Sequence, residues 1–210
     1  MTTVSVLVAN AKGGCGKTTV ATNLAAASAR AGWATVLADC DRQKSSLAWA
    51  QRRPEDAAPV TVVDWVKSVT RLPKATQRLI IDAPAGVRRK QVEELIGDVD
   101  VIVLPVLPSL FDETTTRRFL GQLDKIKPIR KNKRAVAVVA NRVRARTLAT
   151  QRLESFFDEL GVRPVARLRE TQTYAQLAAE GLSLFDLDTQ RVRGYREDWA
   201  SLLQFIGDQA

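Results

Sequence analysis

Val4–Ala9, Val101–Pro105 and Ala135–Ala140 are apolar at almost every position, whereas the stretches between such runs space their apolar residues three and four apart. Unbroken apolarity over five or six residues describes a strand buried on both faces, and the wider spacing describes a helix that buries one face. Strands are predicted at Val4–Ala9, Thr35–Ala38, Val60–Val63, Leu79–Ile81, Val101–Pro105, Ala135–Ala140 and around Val165. Helices are predicted at Thr19–Arg30, Arg88–Ile96, Thr114–Ile126, Leu148–Leu160, Tyr174–Glu180 and Gly194–Ile206. Strands that alternate with helices, and that need cover on both sides, assemble into a parallel sheet. The expected fold class is therefore α/β, a mostly parallel twisted sheet with helices on both faces. No internal repeat, Ser/Gly-rich linker or low-complexity tract divides the chain, so one domain over residues 1–210 is expected. In such sheets ligands bind at the carboxyl ends of the strands, and the chemically informative residues cluster there.

The first strand runs into Lys12-Gly13-Gly14-Cys15-Gly16-Lys17-Thr18-Thr19 and then an Ala-rich helix. This is a phosphate cradle of the P-loop NTPase kind. Its glycines let backbone N–H groups close around phosphates, Lys17 reaches the outer ones, the Thr18 hydroxyl suits Mg²⁺, and the helix N-terminus adds its positive end. The nucleotide-binding candidates here are Gly13, Gly14, Cys15, Gly16, Lys17, Thr18 and Thr19. One departure from the usual G-x-x-x-x-G-K-[ST] loop stands out, a second lysine, Lys12, at its start. Two lysines in eight residues exceed what one nucleotide's cradle requires. At the end of the second strand, Asp39 and Asp41 stand two apart; on an extended chain they share a face, and either could approach Mg²⁺ or an attacking water. The apolar run Leu79–Ile81 likewise ends in a carboxylate, Asp82, followed by the small-residue turn Ala83-Pro84-Ala85-Gly86.

Composition narrows the chemistry. The chain has 45% apolar and 26% charged residues, ordinary for a globular protein, but a net charge of +9 that suits an anionic partner such as nucleic acid or acidic lipid. It contains no histidine, which removes His-based triads, His metal sites and imidazole bases and leaves carboxylates, lysines, hydroxyls and Mg²⁺. The two cysteines, Cys15 and Cys40, form neither a disulfide framework nor a metal-ligand spacing, which fits a reducing cytoplasm. The N-terminus lacks the basic and apolar regions of an export signal, and no apolar run approaches the roughly 18 residues of a membrane span.

The K-G-G-x-G-K-T-T reading of Lys12–Thr19 resembles the deviant-Walker ATPases of the ParA/MinD family, and the resemblance extends over nearly the whole chain. It implies ATP and ADP as ligands with Mg²⁺ as cofactor. It gives catalytic roles to Lys17, to Lys12, which in that family crosses a dimer interface to the partner's nucleotide, and to Asp41, which orients the hydrolytic water. The family pattern D-x-D-P-Q-x-S has Arg42 here in place of its proline, a change expected to loosen the turn. Asp82 matches the Walker B aspartate that holds Mg²⁺ through water, beside Thr18, with Asp39 a further candidate ligand. Pro105-Val106-Leu107-Pro108-Ser109 with Asp112 is similar to a segment near the family's dimer interface, and Asn141 to an asparagine that recognises adenine, for which an amide offers a donor and an acceptor together. Near the end, Arg191-Val192-Arg193-Gly194 resembles a stretch whose arginines bind DNA without sequence preference; Arg169 and Arg196 are added candidates, and Lys127–Arg152 forms a second basic zone.

The length is similar to that of the small family branch without an N-terminal helix-turn-helix. The implied function is an ATP-dependent dimerising switch, cytoplasmic and nucleoid-associated, that positions plasmid, chromosome or other cargo, with hydrolysis stimulated by a ParB-like adaptor. One alternative is a MinD-like membrane switch; the apolar stripe Trp199, Leu202, Leu203, Phe205 and Ile206 that it would use is flanked by Glu197, Asp198 and Asp208, and core packing is its expected use, so no membrane partner is expected. Another is an ATP-using metabolic enzyme of the same fold, against which Lys12 argues. An iron–sulfur relative is excluded, since the cysteines that would hold a cluster are absent.

Overall fold

Seven strands form in the computed structural model, which describes residues 3–86, 99–126, 129 and 134–209. They are β1 (Val4–Val8), β2 (Thr35–Asp39), β3 (Val60–Asp64), β4 (Arg78–Asp82), β5 (Val101–Val106), β6 (Ala135–Val143) and β7 (Ala166–Arg169). Their order in the sheet is β3-β2-β4-β1-β5-β6-β7, and every pairing is parallel. The α/β expectation holds, with each predicted strand within three residues of its position. The helix predicted at Arg88–Ile96 lies outside the described residues, as do Lys127, Arg130, Lys131 and Lys133 of the basic zone and the side chain of Asp112.

The described helices are α1 (Lys17–Arg30), α2 (Ser45–Gln51), α3 (Leu110–Leu123), α4 (Leu148–Glu159), α5 (Thr173–Ala179), α6 (Gln190–Arg196) and α7 (Ala200–Gly207), with a 3₁₀ turn at Glu197–Trp199 joining the last two. Two cores lie on opposite faces of the sheet, because successive strand side chains point to opposite sides. Val4, Val6 and Val8 of β1 meet α1, Trp49, Leu177, Trp199 and Leu202 on one face, while Leu7 meets Phe119, Leu153 and Phe157 on the other. The C-terminal stripe is consumed here: Trp199 and Leu202 are fully buried, Ile206 nearly so, and Leu203 and Phe205 pack against the same core. A sheet covered on both faces leaves its carboxyl edge open.

Two elements differ from the sequence reading. The helix expected from Gly194 to Ile206 is two short helices with a tighter turn between them, so Arg191 and Arg193 lie on α6 itself. Helix α2 has no local signal: its N-cap is Lys44 in the left-handed region (φ 52°) and makes no side-chain cap bond. The cap comes from across the turn, where Asp39 Oδ2 accepts from the Leu47 N–H at 3.0 Å.

Candidate functional site

Registers across the middle of the sheet decide which residues meet. Val8, Asp39 and Asp82 are neighbours at the ends of β1, β2 and β4, so the loops after these three strands converge at one edge. The loop after β1 closes at Gly16, with φ +89° in the region that favours glycine, and hands over to α1. No acidic residue stands in the first turn of α1, and among the described residues no side chain caps it, so the N–H groups and the positive end of its dipole face the loop. The buried Lys17 ammonium donates to the Lys12 carbonyl at 3.0 Å, folding the loop back on itself. Lys12 is itself half-buried at the loop's start.

Asp82 is the electrostatic centre. Its Oδ2 accepts from the hydroxyls of Thr18 and Ser46, both at 2.8 Å, while Oδ1 is buried with no hydrogen-bond partner among the described residues. Burial pushes its carboxyl up to about 6; the Thr18 and Ser46 hydroxyls pull the other way, as does Lys17, and the Asp39 charge adds to the rise. A buried carboxylate with an oxygen unpartnered among the described residues, beside the Thr18 and Ser46 hydroxyls, offers the hard oxygen donors that Mg²⁺ prefers. Asp39, the other candidate ligand, is fully buried with its oxygens turned to the N–H groups of Asp41 and Leu47, each at 3.0 Å. Asp41 accepts from Gln43 N at 2.9 Å and from Ala85 N at 2.8 Å, tying the β2 loop to the turn after Asp82. Lys44 N also donates to the Asp41 carbonyl at 2.9 Å, closing the turn that carries Arg42.

Asn141 closes the site from the far side. It ends the apolar part of β6, and its Nδ2 donates to the Cys15 carbonyl at 2.8 Å. Next to it, Thr19, Arg142, Glu170, Thr171, Gln172 and Tyr174 line a cavity of about 280 Å³. The four arginines proposed for DNA do gather, Arg169 on β7 and the other three on α6, but three are paired. Arg193 and Arg196 each hold Asp188 at 2.7 Å, keeping that carboxyl well below the usual range, and Arg169 grips Asp198 with two bonds of 2.6 Å. Arg191 instead donates to the Tyr195 hydroxyl at 3.1 Å.

Two residues were missed by the sequence reading. Ser46 looks like any helical serine until α2 carries it under Asp82, and the only hint was its position just after the D-x-D pair. Asn10 precedes the loop and resembles a polar strand end, yet it is fully buried against Pro105.

A family model described as the CobQ/CobB/MinD/ParA nucleotide binding domain matches residues 6–185. The maintenance of carboxysome distribution protein A of Halothiobacillus neapolitanus is 31% identical over 194 residues, covering 87% of each chain. Among solved structures, apo McdA of Cyanothece has a TM-score of 0.76 at 14% identity, over 99% of both chains. The septum site-determining protein MinD of Pyrococcus horikoshii, complexed with Mg-ADP, has a TM-score of 0.70 at 18% identity, over 100% of this chain and 99% of that one. The chain belongs to the CobQ/CobB/MinD/ParA nucleotide-binding family.

Proposed function

We propose that this member of the MinD/ParA family is an Mg²⁺-dependent ATPase that works as a dimerising switch, binding nucleoid DNA in its ATP state and positioning an intracellular cargo. The observation that carries the reading is the Asp82 cluster: one buried carboxylate shared by the Thr18 and Ser46 hydroxyls at 2.8 Å, its second oxygen without a hydrogen-bond partner among the described residues, next to a lysine-bearing phosphate loop. Triphosphate lies along residues 13–19, its outer oxygens on Lys17 and on the N–H groups at the head of α1. The base enters the 280 Å³ cavity beside Asn141. Thr18 and, through water, Asp82 would hold Mg²⁺. When bound, that ion neutralises charge on the β- and γ-phosphates.

Lys17 stabilises charge on the transferred phosphoryl group, and Asp41 orients the attacking water. Lys12 contributes its ammonium to the nucleotide of a second copy, so that ATP joins two protomers. Arg191 and Arg193, with Arg169 and Arg196, then meet DNA phosphates, and a ParB-like adaptor on the cargo stimulates hydrolysis and release. A relative named for carboxysome distribution makes a protein compartment a candidate cargo alongside a plasmid or chromosome. The membrane alternative gains no support from α7, whose Leu202 and Ile206 are buried and whose Leu203 and Phe205 pack partly buried against the same core.

The test is binding of a fluorescent ATP analogue with and without Mg²⁺. Lys17→Ala should abolish binding in both conditions. Asp82→Ala should weaken binding only when Mg²⁺ is present, and affinities unchanged in both variants would contradict the placement.

A further inference from the structure

The phosphate loop is held at its start, Lys12, and among its glycines, at Cys15, by asparagine side chains that come from outside it. Asn10, fully buried at the end of β1, donates through Nδ2 to the Pro105 carbonyl of β5 at 2.7 Å and accepts the Lys12 N–H on Oδ1 at 3.0 Å. Asn141, 5% exposed on β6, donates through Nδ2 to the Cys15 carbonyl at 2.8 Å and accepts the Arg142 N–H on Oδ1 at 3.0 Å. The chain bends to make the second contact. Arg142 lies in the left-handed region at φ 53°, and the β6–β7 register shifts between Asn141 and Val143. The loop has no slack at that end, since a Cβ on Gly16 would lie 2.5 Å from Asn141 Nδ2.

We propose that Asn10 and Asn141 are positioning residues, which brace the phosphate loop in its ligand-ready shape before a nucleotide arrives. A loop with three glycines in four residues loses much backbone freedom when it orders. Had binding to impose that order, affinity would fall by its cost, so ordering the loop in advance raises affinity for any ligand that carries the phosphates. Asn141 thereby acts on the phosphate end of the site, whichever base occupies the neighbouring cavity. The consequence for nucleotide rests on the reading of this loop as the phosphate cradle; the brace itself does not.

Thiol labelling of the ligand-free protein, resolved by peptide mass spectrometry, tests the brace alone. Cys15 is fully buried inside the loop and Cys40 is partly buried outside it, so Cys40 reports general loosening. Asn141→Ala should raise the Cys15 alkylation rate about tenfold and leave Cys40 unchanged, and Asn10→Ala should act in the same direction. The milder Asn141→Ser, too short to reach Cys15, gives the same reading if the alanine variant does not fold. Unchanged Cys15 labelling, or equal acceleration of both cysteines, overturns the brace. Affinities of Asn141→Ala for ATP, GTP and inorganic tripolyphosphate should fall together, by about tenfold. A loss confined to ATP would overturn the brace in favour of base recognition, whereas a parent protein that binds none of the three would reject the nucleotide reading and leave the labelling result standing.

Discussion

Asp82 shows what the site costs the fold. Its folded pKa of about 6 lies above the ordinary 3.8, so the folded chain binds this proton more tightly than the unfolded one. That contribution is fully present below about pH 4, fades as pH rises, and above about pH 6 leaves a buried charge worth on the order of 3 kcal/mol against folding. Without nucleotide and Mg²⁺, Asp82→Asn should therefore melt several degrees above the parent at pH 7 to 8, with the gap closing as pH falls from about 6 to 4. Thermal melts across that range check it, and a gap independent of pH would mean that charge is not the cause. At this scale the phosphate loop and the three aspartates were legible, because their chemistry depends on residue type and short spacing. Ser46 and Asn10 were not, since the partners that bury them, Asp82 and Pro105, lie 36 and 95 positions away in the chain.

Helix α2 links the β2 loop to the segment that precedes α6, through contacts that no local pattern announces. Its Trp49 donates to the Leu182 carbonyl at 3.1 Å, and Arg53 just beyond it forms a buried pair with Asp186 at 2.7 Å, the two side chains being 6% and 3% exposed. Arg53 also donates to the carbonyls of Ala58 and Gly181, so its guanidinium is well matched in the interior. Removing one partner of such a pair strands a buried charge. Asp186→Ala should cost about 3 to 5 kcal/mol in denaturant unfolding, against about 0 to 1 for Glu159→Ala, which breaks the exposed pair with Arg117. Equal costs would show that burial does not set the strength of the link. The five inner strands were legible because burial on both faces demands apolar runs, and the edge strands β3 and β7, half-exposed or alternating, were legible from shorter apolar stretches. Helix α2 was hidden because its cap is supplied by Asp39, and the C-terminal helix was read as unbroken because its apolar spacing continues through the 3₁₀ turn.

Charge acts over the whole molecule, yet the net +9 overstates what DNA would meet at the α6 surface. Asp188 occupies Arg193 and Arg196, and Asp198 occupies Arg169. Asp188→Asn should thus tighten ATP-dependent binding to duplex DNA of any sequence and steepen the log-log salt slope by about 1 to 2, as the released arginines take up phosphates. Unchanged affinity and slope would move the DNA surface elsewhere. The central claim lies deeper, in the two lysines of one loop. Lys17 is buried and turned inward, whereas Lys12 stands half-buried at the loop's start. Light scattering with a non-hydrolysable ATP analogue and Mg²⁺ tests this most directly. The parent should shift from monomer to dimer, while Lys12→Ala binds the analogue with near-parent affinity and stays monomeric; a Lys12→Ala protein that dimerises as the parent does would contradict the cross-subunit switch.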